Sequence, residues 1–236
     1  QQLRLNLPTR LNAASLSLSL LGNQEAYLAE EFLTQLPKIE TSQDLCLHFR
    51  GDLTLNLHFR KGTSLNLEVL ASLSELVISQ SDLDQLSELE GELPSLILSV
   101  EDRGTFLDMD LPANQLAMWV NKENLGLAAS FLRQLPQYVP HIHFGNLDHQ
   151  GLVLAELLAQ ASQRPVKRFI PEFWDDYVDD FAQPVNPEQL EGQGAAWQGP
   201  PLSAPLLNHL MTNQLWLAQA PLIFDARLYD ELRRLG

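Results

Sequence analysis

The chain has one cysteine, Cys46, in 236 residues, so no internal disulfide can form and no cysteine-based zinc site can be assembled. A lone thiol of this kind behaves as a small buried core residue in a reducing compartment, which points to a cytoplasmic protein. Long apolar runs are missing too. Ser, Asn, Asp or Arg interrupts each one before the ~18 residues a membrane helix needs, so no membrane partner is expected. Positive charge is scarce: 15 Lys and Arg face 30 Asp and Glu, for a formal charge of -15, and such a surface repels a phosphate backbone. The sequence also lacks GxxxxGK[ST], GxSxG and HExxH, which removes the main support for P-loop, serine-hydrolase and zincin chemistry. It opens on Gln1 with no signal-type apolar segment, and is expected to begin inside a longer protein.

What is present suffices to fold. About 45% of residues are apolar and 19% charged, enough for one large core or two small ones, and domains of roughly 100–150 residues favour two. Leucines alternate with polar residues over 3–7, 15–21, 44–49, 52–59 and 64–70, the two-residue period of half-buried strands, and the last three runs predict an antiparallel meander. Helical spacing marks 24–35, and helical segments are expected over 71–92. After Pro94 the texture changes to apolar runs at 96–100, 116–120 and 142–144, with helices at 125–135 and 152–160. The fold class is therefore α+β / α/β: a β-rich lobe over 1–92, then an α/β domain over 93–236. A Pro/Gly-rich loop is expected at 183–205, with helical or mixed segments at 206–217 and 226–235.

The strongest local pattern is Ile142-His143-Phe144-Gly145-Asn146-Leu147-Asp148-His149-Gln150-Gly151-Leu152, a strand that runs through a polar turn into a helix. The C-terminal edge of an α/β sheet is where loops present carboxylates to a ligand. A second strand-end acid, Glu101, follows Leu98-Ser99-Val100, so Glu101 and Asp148 converge if their strands are neighbours. The competing view is that Asp148 only caps the next helix and Glu101 only starts a turn.

Residues 97–170 resemble the Toprim segment of the Wadjet JetD and MksG family, whose fold is related to type IIB topoisomerase cleavage subunits. The likeness rests on Ser99-Val100-Glu101-Asp102 followed by Thr105-Phe106-Leu107, then Leu111-Pro112, Leu132-Arg133-Gln134-Leu135-Pro136, and the Gly145-Asn146-Leu147-Asp148 turn with Gly151. A weaker echo is Leu217-Ala218-Gln219-Ala220, where the family has Leu-Glu-Gln-Glu. The resemblance implies that Glu101 and Asp148 are the catalytic carboxylates and that Glu101, Asn146 and Asp148 surround a Mg²⁺ ion. Asn146 stands where the family has an aspartate, and Ala218 and Ala220 offer no ligand, so the implied metal site is weak. The expected function is a catalytically impaired Toprim-like subunit of an SMC-type plasmid-defence or chromosome-maintenance system. It would act in DNA or partner binding, beside an SMC-like ATPase complex and as a homodimer. Two alternatives stand: an active Mg/Mn-dependent DNA endonuclease that recruits Asp102, Asp108 or Asp110, and an acidic protein-interaction module.

His141, His143 and His149 are close in sequence, but no fourth ligand lies near them, so ordinary packing is favoured over zinc. Two basic trios, Arg50-Arg60-Lys61 and Arg164-Lys167-Arg168, are the local groups that could touch DNA or a partner, although ordinary surface charge is favoured. The acidic run 172–180 carries Trp174, Tyr177 and Phe181 at helical spacing, an apolar stripe read as core packing or as a groove for a cationic partner.

Overall fold

On β1 (Cys46–Gly51), Leu47 and Phe49 are buried while His48 and Arg50 are only half-buried, the signature of a strand with one face on a core. The computed structural model describes residues 45–186 and 204–236. The strands and helix expected before residue 44, and the greater part of the Pro/Gly-rich loop, lie outside the described residues. Among the described residues no helix is long and apolar enough to cross a membrane.

The strands that follow are β2 (Leu55–Phe59), β3 (Ser64–Asn66), β4 (Leu76–Ser79), β5 (Leu86–Gly91), β6 (Leu96–Val100), β7 (Gln115–Trp119), β8 (His141–Phe144) and β9 (Lys167–Arg168), with a small pair, β10 (Gln183–Pro184) and β11 (Leu215–Trp216). The main helices are α1 (Gln80–Leu83), α2 (Arg103–Asp108), α3 (Leu125–Leu132), α4 (His149–Ser162), α5 (Val178–Phe181), α6 (Pro205–Thr212) and α7 (Ala226–Leu235). A six-stranded sheet in the order β4-β1-β7-β6-β8-β9 forms the centre, and β7, β6, β8 and β9 run parallel. Every residue of β6 and β8 is buried, as parallel strands covered on both faces require. The α/β class read from the sequence is the class observed, with parallel strands where the three apolar runs placed them.

Two cores flank this sheet. One holds Ile97, Leu116, Met118, Phe131 and Leu132 together with Leu47, Phe49, Leu53, Leu55 and Leu57. The other holds Leu98, Val100, Phe144, Trp174 and the apolar faces of α6 and α7.

The boundary expected at 92/93 does not divide the described residues. β1 pairs antiparallel with β7, from His48 opposite Trp119 to Gly51 opposite Leu116, and the Phe49 ring meets Phe131 edge-on at 4.9 Å. The β-rich segment thus shares a core with the α/β segment instead of burying its own, since five strands of this length offer too little apolar area alone. The meander is corrected for the same reason. β1 leaves for the central sheet, and β2, β3 and β5 form a separate three-stranded sheet. The alternation itself held, because Leu47, Phe49, Leu53, Leu55 and Leu57 are buried in one cluster against which Leu45 and Phe59 pack.

Residues 71–92, expected to be helical, hold two strands and a single helical turn. Leu76 and Ile78 alternate with exposed Val77 on β4, while Ser79 caps α1 by accepting from the Asp82 N–H. Apolar residues three apart across this short turn imitate a helical period that the chain does not follow. The strand read to Leu70 stops at Asn66, whose side chain accepts from the Glu68 N–H and starts the 3-10 segment Leu67–Ser72. The segment 206–217, expected to be helical or mixed, is mixed: α6 stops at Thr212, and Gln214 turns left-handed at φ 54° into β11. The segment 172–180 is 3-10 through Tyr177 and α-helical only in α5.

Candidate functional site

Glu101 is the first residue after β6, and its main chain is held from both neighbouring strands. Its N–H donates to Phe144 O at 3.1 Å, and its carbonyl accepts from the Trp119 indole at 2.9 Å. Ile97, Ser99 and Glu101 follow the alternation of β6, so Glu101 emerges on the sheet face that also carries His141 and His143. Asp148 follows the adjacent parallel strand β8. It is the N-cap of α4, with Oδ1 accepting the Gly151 N–H at 2.8 Å. The capping view of Asp148 and the convergent view are therefore both met.

The two carboxylates meet across Gly151. A methyl group on that glycine would lie 2.7 Å from Glu101 Oε2 and would also strike the Asn146 main chain. The same is true of Gly145, where it would lie 2.8 Å from both Glu101 Oε2 and His143 Nε2. The turn thus needs two residues without a side chain to let Glu101 approach. With Gly151 touching both acids, their oxygens lie within about 8 Å of each other. Glu101 Oε2 also accepts the Asn146 main-chain N–H at 3.0 Å.

This setting disfavours charge on Glu101. Burial is the main cause, and the neighbouring Asp148 and Asp102 add to it, while the Asn146 N–H and Lys122 pull the other way. The carboxyl is pushed up to about 7. Beneath it, Ser99 Oγ lies 2.9 Å from His143 Nδ1 and 3.0 Å from His141 Nε2. Burial holds His143 down to about 4, aided by Arg168, and His141 well below the ordinary imidazole value. Ser99 thus joins one nitrogen of each neutral imidazole, and the other nitrogen of each ring, His141 Nδ1 and His143 Nε2, is buried without a hydrogen-bond partner.

Asn146 is buried, and its amide oxygen accepts the Gln219 main-chain N–H at 3.0 Å. Leu147 and Leu217 form a two-way main-chain bridge beside it. The Leu217-Ala218-Gln219-Ala220 echo is therefore laid directly along the Asn146–Asp148 turn. Gln219 is a site residue that the sequence reading passed over, because its partner lies 73 positions away. The only available signal was the echo itself. His143 reaches the same edge, beside Gly145. Its Nε2, the Asn146 Nδ2 and both amide atoms of Gln219 are buried without a hydrogen-bond partner. Buried polar atoms are ordinarily paired, so this concentration at one sheet edge marks a polar site.

Of the three residues that the resemblance places around Mg²⁺, two are carboxylates. Glu101 and Asp148 would supply hard oxygens, but each already accepts a main-chain N–H, and the Asn146 oxygen expected to face the ion is committed to Gln219. Among the described residues no group of three or more His, Cys, Asp or Glu is placed to share one ion. Asp102 is used as the N-cap of α2, accepting the Thr105 N–H at 2.7 Å, and Asp108 and Asp110 face Arg50 instead.

The residues proposed for DNA or partner contact do not gather into one surface. Arg164 is buried and donates to the carbonyls of Leu132, Pro136 and Val139, closing the C-terminal end of α3. Arg168 pairs with Glu156. Lys167 alone of that trio is exposed. Trp174 is 0% exposed and packs edge-on against Phe144 at 5.9 Å, so it is a core residue and cannot touch a partner. In the other trio, Arg50 donates to the carbonyls of Phe106 and Met109 at the end of α2. No protein-family model matches the chain, and no curated protein matches it.

Proposed function

We propose that this chain is a Toprim-like subunit, similar to JetD and MksG, whose metal centre has been reduced and which works by binding rather than by cutting. One observation carries this reading. Glu101 and Asp148 flank Gly151 at the parallel sheet edge, while the neutral Asn146 between them turns its oxygen to Gln219. Bound Mg²⁺ would neutralise charge on a phosphate at this edge. With two anionic side chains, one of them titrating near neutrality, the site holds such an ion weakly.

Within this proposal the chain is a cytoplasmic component beside an SMC-like ATPase complex, and a protein surface is favoured over DNA as its direct contact. The reason is the fate of its cations. Arg50, Arg133 and Arg164 are spent on main-chain carbonyls, and Arg103, Arg168, Arg227 and Arg233 on carboxylates. Among the described residues that leaves Arg60, Lys61, Lys122, Lys167 and Arg234 to face phosphates, on a chain whose net charge is -15.

The test is incubation with supercoiled plasmid and Mg²⁺ or Mn²⁺. The unmodified protein is expected to leave the plasmid intact. Asn146→Asp is expected to bind Mn²⁺ at least tenfold more tightly by calorimetry, because it restores a full charge beside Glu101 and Asp148. Nicking by the unmodified chain that Glu101→Ala and Asp148→Ala both abolish would establish the endonuclease instead.

A further inference from the structure

The acidic segment of the sequence faces a cleft that the polar site does not use. Tyr177 and Phe181 lie on one side and Ala220, Pro221 and Phe224 on the other of an open cleft of about 680 Å³. Phe224 is 86% exposed and Phe181 43% exposed. Two aromatic rings facing solvent across one cleft cost the free protein hydration free energy that covering them would return.

The cleft is also preformed. The Tyr177 hydroxyl donates to Asp225 Oδ2 at 3.1 Å, and Arg227 donates to Asp225 and Asp176, the latter at 2.7 Å. The Arg227 guanidinium lies 4.4 Å over the Phe173 ring, itself in the core. These contacts tie the 3-10 segment before α5 to the start of α7, fixing the two walls relative to each other. They also consume the one cation lining the cleft. Asp180 at the rim has no cation to balance it among these contacts, and Asp175 and Asp179 stand exposed on the same segment.

We infer that this cleft docks a short basic segment of a partner protein, inserting one bulky apolar side chain between Phe181 and Phe224 while flanking Lys or Arg residues face Asp175, Asp179 and Asp180. The complementarity is specific in sign. An acidic segment would meet uncompensated carboxylates, and a neutral apolar one would leave them unpaired. This assignment does not rest on the reading of the Glu101 edge, and no outcome of the plasmid test bears on it.

The experiment is selection from a displayed random-peptide library against the whole chain, followed by fluorescence anisotropy with the enriched peptides. Enriched sequences are expected to place Lys or Arg on both sides of a Phe, Leu or Trp. Their affinity should fall at least tenfold with Phe224→Ala, and at least fivefold with Asp180→Lys or on raising NaCl from 0.05 to 0.5 M. Both substituted side chains are exposed, so the variants should fold, and matching thermal melts would verify this. Tyr138→Ala, at an exposed aromatic elsewhere, should change nothing. Enrichment of acidic peptides, or equal loss with Tyr138→Ala, would overturn the proposal. Concentration-dependent self-association in sedimentation velocity that Phe224→Ala abolishes would assign the cleft to a second copy of this chain instead.

Discussion

Glu101 and His143 titrate in opposite directions from neighbouring strand ends, and their effects on stability oppose each other. The folded state binds the Glu101 proton more tightly than the unfolded chain, where a glutamate titrates near 4.5. Raising pH from 4.5 to about 7 strips that proton from the folded protein at a cost, so this contribution is fully present below 4.5 and gone above 7. For His143, lowered to about 4, the stabilising contribution is present above 6.5 and lost as pH falls through 4. Wild-type protein alone would therefore blur the two. Glu101→Gln isolates the first: its advantage over wild type in thermal unfolding should be near zero at pH 4.5, grow to pH 7 and then level off, at about 3 kcal/mol or roughly 6–12 °C in Tm. An advantage that does not change with pH would show that Glu101 titrates normally. At the same scale, Arg164→Ala should lower the free energy of urea unfolding by about 2–4 kcal/mol, because it leaves the carbonyls of Leu132, Pro136 and Val139 without their donor. A loss under ~0.5 kcal/mol would mean that the guanidinium belongs on the surface.

At the scale of elements, α4 is anchored by the acid that also disturbs Glu101. Asp148→Ala removes the cap on the Gly151 N–H and should cost about 1 kcal/mol at pH 8. Asp148→Asn keeps an acceptor for that N–H while removing the charge beside Glu101, so it should be at least as stable as wild type at the same pH. Equal losses in the two variants, measured by urea unfolding, would mean that the charge of Asp148 does not reach Glu101. Elements were legible in the sequence where one local rule decided them. Leu96–Val100 reads as a strand because an apolar run interrupted only by Ser99 suits a parallel strand buried on both faces, and Asp148 reads as a cap from its place before the helix. The convergence of Glu101 with Asp148 was legible only as a condition, that their strands be neighbours, and β6 and β8 are. Where two distant segments decide the outcome, the sequence was silent or misleading. β1 carries the pattern of a meander strand, but Phe131 and β7 draw it into the central sheet. Trp174 sits among acids as a surface aromatic would, and only the packing of Phe144 against it reveals a core residue. Arg164 looked available because the three carbonyls it serves lie 25 to 32 positions earlier.

At the scale of the whole molecule, charge sets how the chain meets other macromolecules. A net charge of -15, with seven arginines paired to carbonyls or carboxylates, predicts that a duplex DNA fragment at 0.15 M salt is held no more tightly than the ~10⁻⁴–10⁻⁶ M of non-specific binding. Its affinity should also show a shallow dependence on salt. Electrophoretic shift and anisotropy titrations at two salt concentrations measure both. Nanomolar binding with a steep salt slope would require a phosphate-binding surface of a kind that these arginines do not provide.

The bond from the Gln219 N–H to Asn146 also imposes an order of events during synthesis. The strands that carry Glu101 and Asp148 leave the ribosome well before residues 204–236, and until those residues emerge the Asn146 oxygen has no Gln219 to accept from and Leu147 no Leu217 to bridge. A nascent chain halted after α4 would carry Glu101 after β6 and Asp148 after β8, with neither brace on the Asn146–Asp148 turn. Bracing of this turn thus depends on long-range closure, and any factor that delays the emergence of residues 204–236 would delay it by the same interval.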